Sequence, residues 1–167
     1  MIEPFFTKSS RDSAMRELFV FVRDFQDRDF YLTADNRRIS VQEYSLFLKL
    51  LKGSSHCFVK KNDDEDFEGM ILIWKSRGEV TRRYVKVVAK SPLIVSHLLT
   101  QVNWNIPCEL FAKVSRTSPL LSVFQSKGFK FLGGRGDQVL LRRGRTAILP
   151  RVTDQGKESD DGQRSKS

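Results

Sequence analysis

A chain of 167 residues, 40% of them hydrophobic, can bury one core and leaves room for one domain with a short tail. Its formal net charge of +9 disfavours cationic partners and points to polyanions: nucleic acid, an acidic protein surface or a phosphorylated cofactor. No apolar run reaches the ~18 residues of a membrane helix, and no basic start leads into an apolar stretch as in a signal peptide, so a cytoplasmic protein is expected.

The two cysteines, Cys57 and Cys108, form no CxxC, and the two histidines, His56 and His97, complete no ligand set, so no metal is expected. His56 and Cys57 are neighbours in a strand-like run and face opposite sides, which suits no single ion.

In chain order, Ile2 to Phe6 reads as a short strand, followed by Ser9, Ser10 and Asp12 as candidate helix caps. Ala14, Met15, Leu18, Phe19, Phe21, Val22 and Phe25 recur at three and four, one face of a helix over 12–25. Ser40 with Glu43 has the form of a capping box before a second helical face of Tyr44, Phe47, Leu48 and Leu51, which Gly53 ends. His56 to Lys60, Glu68 to Lys75 and Thr81 to Ala89 read as strands, joined by an acidic turn at Asn62 to Asp66 and a tight connection at 76–79. Pro92 suits the first turn of a helix carrying Leu93, Ile94, Val95, Leu98, Leu99 and Val102, with a break expected from Asn103 to Pro107. Cys108 to Val114 is a strand, Pro119 to Phe124 a short helix stopped by Gly128, and Phe129 to Leu132 and Gln138 to Leu141 a final pair of strands. Gly133-Gly134-Arg135-Gly136 between them reads as a hairpin turn, because no helix follows it as one follows a phosphate loop. The order is β-α-α-β-β-β-α-β-α-β-β over residues 1–145, and 146–167 is a polar tail expected to be disordered.

Two segments carry more than element order. Lys90-Ser91-Pro92-Leu93-Ile94-Val95-Ser96-His97-Leu98-Leu99 opens the third helix, and Thr117 to Phe129 runs through the fourth to Gly128-Phe129. With the element order, they resemble the GCN5-related N-acetyltransferases over roughly residues 1–143, most strongly from Glu68 to Phe129. The resemblance implies an α/β fold with a central mixed, mostly antiparallel twisted sheet flanked by helices. It also implies a cofactor, acetyl-CoA, whose pyrophosphate the family holds on an Arg/Gln-x-x-Gly-x-Gly/Ala loop at a helix start. That places cofactor contacts at Val88, Lys90, Ser91 and Ser96. Here the pattern departs from the family's. Lys90 stands for Arg or Gln, but Leu93 and Val95 fall on both glycine positions, where branched side chains crowd phosphates, and Pro92 removes an N–H. Phe124 stands where a tyrosine often protonates the departing thiolate, and Thr117 where Asn often holds the cofactor arm.

No general base stands out: Glu68, Glu79 and Glu109 read as edge carboxylates and His97 as a surface histidine. The basic residues Lys75, Arg77, Arg82 and Lys86 cluster around one hairpin, and Arg142 and Arg143 follow the last strand, together a candidate polyanion-binding set. Arg82, Tyr84 and Lys86 share one strand face, and Arg83, Val85, Val87 and Ala89 the other.

Several departures at one site favour a catalytically degenerate acetyltransferase-like protein with no acetyl-CoA requirement. It would act as a binding or structural component with a macromolecular partner, in a cytoplasm or, for a virus-encoded chain, in a host cytoplasm or virion. An active acetyl-CoA-dependent N-acetyltransferase and a basic nucleic-acid-binding module are the alternatives, and a dimer is compatible with the resemblance.

Overall fold

The computed structural model describes residues 1–6, 10–26, 41–76 and 80–146. Its elements are β1 (Ile2–Pro4), α1 (Asp12–Phe25), α2 (Tyr44–Lys52), β2 (Ser54–Lys61), β3 (Phe67–Lys75), β4 (Arg83–Ala89), α3 (Pro92–Asn105), β5 (Leu110–Ser115), α4 (Leu120–Ser126), β6 (Lys130–Arg135) and β7 (Gln138–Arg143). This is the order expected from the sequence. The strands form one seven-stranded sheet, β1-β2-β3-β4-β5-β7-β6. Every neighbouring pair is antiparallel except β4 and β5.

Alternation along the central strands builds a core on each face of the sheet. Met70 and Leu72 of β3 pack with Leu18 and Val22 of α1 and Phe47, Leu50 and Leu51 of α2. Ile71 and Ile73 pack on the other face with Val95, Leu98, Leu99 and Val102 of α3 and with Phe124 and Phe129. The β3 run Met70–Ile73 is therefore buried on both sides, which is why it reads as unbroken hydrophobicity rather than alternation. Gly69 lets α3 lie close against β3: a Cβ there would come within 2.7 Å of Ile94 Cγ2 and 2.9 Å of Leu98 Cδ1.

Local details differ from the sequence reading. Arg11 occupies the N-cap of α1 without a side-chain cap, while the Ser10 hydroxyl donates to the Phe6 carbonyl at 2.6 Å. At α2, Glu43 is itself the N-cap and makes no side-chain cap bond, and Ser40 of the expected capping box lies outside the described residues. α3 continues through Asn105, three residues into the expected break, because Asn105 Nδ2 donates back to the Gln101 carbonyl and the Ile106 amide still bonds Val102. Gly133, Gly134 and Arg135 belong to strand β6, and the turn falls on Gly136, whose φ of +63° suits glycine.

Candidate functional site

β4 and β5 run parallel and share a single register pair, Tyr84 with Phe111. Beyond it, Val85–Ala89 and Ala112–Ser115 continue without ladder partners between them, so the sheet splays into a notch at the carboxyl ends of its two parallel strands. Main-chain groups on the walls of such a notch are open to an extended ligand, and the start of the following helix stands at its mouth. That helix is α3.

The hydrogen bonds at the start of α3 decide what it can hold. Pro92 has no N–H. The Ile94 amide donates to the Ser91 hydroxyl at 3.4 Å, and the Val95 amide to the Ser91 carbonyl at 3.3 Å. The Lys90 amide, one residue before the cap, donates to the Glu68 carbonyl at 2.9 Å. The Val95 bond is the ordinary i→i−4 bond that opens any α-helix, and the Leu93 side chain beside its amide is 65% exposed. A pyrophosphate is held by several converging donors, and Pro92 supplies one fewer here.

The expectation that Leu93 and Val95 both crowd the phosphates is half corrected. Val95 is buried against the sheet, so only Leu93 stands at the helix mouth. Of the other residues expected at this loop, Val88 is buried in the α1/α2 core, Ser91 is used as the cap, and Ser96 sits half-buried one turn into α3. The Lys90 ammonium rests 5.5 Å from the centroid of the Phe25 ring, at the end of α1. Phe124 is fully packed, edge-on to Phe129 at 5.1 Å between centroids, and offers no proton donor.

The candidate bases are otherwise engaged. Glu68 accepts from Lys60 Nζ at 2.6 Å, and this bond holds its carboxyl below the ordinary range. Glu109 pairs with Arg142, His97 is exposed, and Glu79 lies outside the described residues. Cys57 and Cys108 are free thiols, and burial pushes Cys57 up to about 12. Among the described residues no cluster of His, Cys, Asp or Glu could hold a metal ion, and no helix is long and apolar enough to cross a membrane.

The expected polyanion-binding set separates into a surface part and an interior part. Two assignments are corrected. Arg143 is 3% exposed, and its guanidinium donates to Asn103 Oδ1 (2.6 Å) and to the Ile106 and Cys108 carbonyls (2.6 and 2.7 Å), so it ties β7 to the α3–β5 connection. Lys86 is 8% exposed, and desolvation, with Lys113 nearby, lowers its pKa to about 8. Lys75 and Arg142 are exposed, Arg82 is half-buried and Arg77 lies outside the described residues. The register Tyr84–Phe111–Arg142–Lys130 crosses β4, β5, β7 and β6 in one row, which brings Arg82 and Arg142 onto one sheet face, whereas Lys75, in register with Arg83, lies on the other. The Arg82 guanidinium lies over the Phe111 ring at 4.6 Å and the Lys113 ammonium over Tyr84 at 5.3 Å. Sequence reasoning did not single out Lys113 or Phe111. The alternation of Lys113 against buried Ala112 and Val114 was the available signal.

A cavity of about 450 Å³ lies away from the notch, walled by Phe5, Leu51, Phe58, His56 and Asn105. Among the described residues, no Lys, Arg or residue of the β4–α3 junction lines it.

No protein-family model and no curated protein matches the sequence. Solved structures do match. A protein assigned as a phosphinothricin N-acetyltransferase superposes with a TM-score of 0.64 at 15% identity, over 88% of this chain and 100% of its own. An acetyltransferase of the GNAT family from Streptococcus pneumoniae gives 0.57 at 14%, over 86% and 98%. The Campylobacter jejuni N-acetyltransferase PseH, solved with acetyl coenzyme A, gives 0.56 at 16%, over 87% and 100%. The architecture is thus that of the GCN5-related N-acetyltransferases, a mixed, mostly antiparallel sheet flanked by helices. Within that fold, the α3 start of this chain carries Pro92, without an N–H, and a Ser91 side-chain cap on the Ile94 amide.

Proposed function

We propose that this is an acetyltransferase-fold protein that does not catalyse acetyl transfer and works by binding a macromolecular partner. The observation that carries the reading is the state of the first-turn α3 amides: Pro92 lacks one, and the Ser91 hydroxyl caps that of Ile94. Leu93 projecting beside its own N–H and a buried Phe124 without a hydroxyl support it. A fold hosts a function only through its site, and among the described residues Pro92 and a capped Ile94 amide stand where phosphate donors are expected, and Phe124 where a hydroxyl is expected.

The splay of β4 from β5 favours a second reading, acetyl-CoA-dependent N-acetyl transfer, because unpaired main-chain groups suit an extended acyl-carrying ligand. Isothermal titration of the whole chain with acetyl-CoA at moderate salt separates the two. The binding reading expects no saturable heat at high micromolar ligand. Saturable micromolar binding, the ordinary range for an enzyme substrate, overturns it and makes the second reading the working one.

A further inference from the structure

β6 closes the sheet on one side, and among the described residues no strand pairs with its outer edge. An edge presents a row of N–H and C=O groups to any extended chain. Most edges are kept short, bulged and charged. β6 has a register shift between Phe131 and Gly133 and exposed Lys130 and Arg135 at its ends, yet Phe131 is 59% exposed and Leu132 49%. Two large apolar side chains between two cations on a free edge make a surface with a defined complement.

The charge within the neighbouring strands is one-sided, with Glu109, paired to Arg142, and Asp137 in the β6–β7 turn lying outside them. Every charged residue in β4, β5, β6 and β7 is basic, and Arg142 stands in register beside Lys130. Two copies of this chain joined antiparallel through β6 would set Lys130 opposite Arg135 twice, and like charges directly opposed destabilise a strand pair. A single-stranded nucleic acid would satisfy the cations but not the main-chain edge. On this sheet face it would also find the Phe111 and Tyr84 rings already covered by Arg82 and Lys113. A peptide with alternating acidic and apolar residues satisfies edge, side chains and charge together.

We infer that β6 is a docking strand for an extended acidic–apolar peptide segment of a partner protein, which adds to the sheet beside Lys130–Arg135. The inference names the partner surface for the binding reading above, and it holds or fails whatever the outcome with acetyl-CoA.

The test uses fluorescence anisotropy with a labelled hexapeptide of alternating Val and Glu, matched in length to β6, and its Val–Lys counterpart. The Val–Glu peptide is expected to bind and the Val–Lys peptide not. The double variant Lys130→Glu, Arg135→Glu is expected to reverse that preference, with Val–Glu affinity falling about tenfold or more. The gain of Val–Lys binding shows that the variant is folded. Amide exchange should slow in β6 when the Val–Glu peptide is present. Equal binding of both peptides, a preference unmoved by charge reversal, or protection in another strand overturns the inference. So does displacement by oligothymidine as effective as by unlabelled peptide. Self-association in sedimentation that is abolished by Phe131→Ser with Leu132→Ser overturns it in favour of a second copy of this chain.

Discussion

Gly53 ends α2 with φ −82° and ψ −6°, a right-handed conformation open to any residue. Its lack of a side chain therefore answers to packing rather than to backbone: a Cβ would stand 2.4 Å from Trp74 Cζ3 on β3. The sequence suggested a glycine C-cap, which locates the helix end correctly and gives the wrong reason for the residue. Gly53→Ala is expected to lower stability by about 1–3 kcal/mol, because the indole must shift within a packed layer. Gly133→Ala, with nothing within 4 Å of its Cβ, should change it by no more than ~0.5 kcal/mol. Urea denaturation of both variants checks the pair, and equal losses would refute the packing account. Val95 makes the same point about side-chain direction. Its place in a motif suggested contact with a ligand, and its place on the helix turns it into the core.

Among elements, β7 carries two adjacent arginines that look equivalent in sequence. Strand alternation sends Arg142 to the surface, where it pairs with Glu109, and Arg143 inward to three acceptors on the α3–β5 connection. An exposed pair contributes little, whereas removing the buried donor strands two main-chain carbonyls and the Asn103 amide oxygen. Arg143→Leu should therefore destabilise by about 2–4 kcal/mol and Arg142→Ala by less than ~1 kcal/mol. Thermal or urea unfolding measures both, and a similar cost for the two would remove the structural role given to Arg143. Period-two alternation predicts that one of the two points inward. It does not say which, because the sheet order that places β7 beside β5 comes from contacts distant in sequence.

At the scale of the molecule, the sheet divides the interior into two cores, and two titratable groups buried near it give stability opposite responses to pH. The folded pKa of Lys86 is lowered from 10.5 to about 8, so between those values the unfolded chain holds the extra proton and folding gains as pH rises. Cys57 is raised from 9.0 to about 12, so above pH 9 the unfolded thiol ionises first and folding loses. Relative to Lys86→Met, the wild type should gain stability from pH 7 to 10. Relative to Cys57→Ala, it should lose stability from pH 8 to 10. The slopes are at most ~1.4 kcal/mol per pH unit. Denaturant midpoints across that range check both, and parallel pH profiles of the wild type and either variant would contradict the assignment for that group.

Hydrophobic periods of two and 3.6 over β2, β3, β4, α1 and α3 are local properties of the chain. For that reason the element order, the buried faces and the likeness to the acetyltransferase fold were all legible from the 167 residues. The departures at Pro92 and Leu93 from the family's loop pattern are visible as letters too. Pairings between residues far apart in the chain decided the rest. They set the splay at Tyr84–Phe111, the inward turn of Val95, the burial of Lys86 and Arg143, and the free edge at β6. Those properties depend on which strand lies beside which, and a periodic pattern specifies the face a residue takes without specifying its neighbour across the sheet.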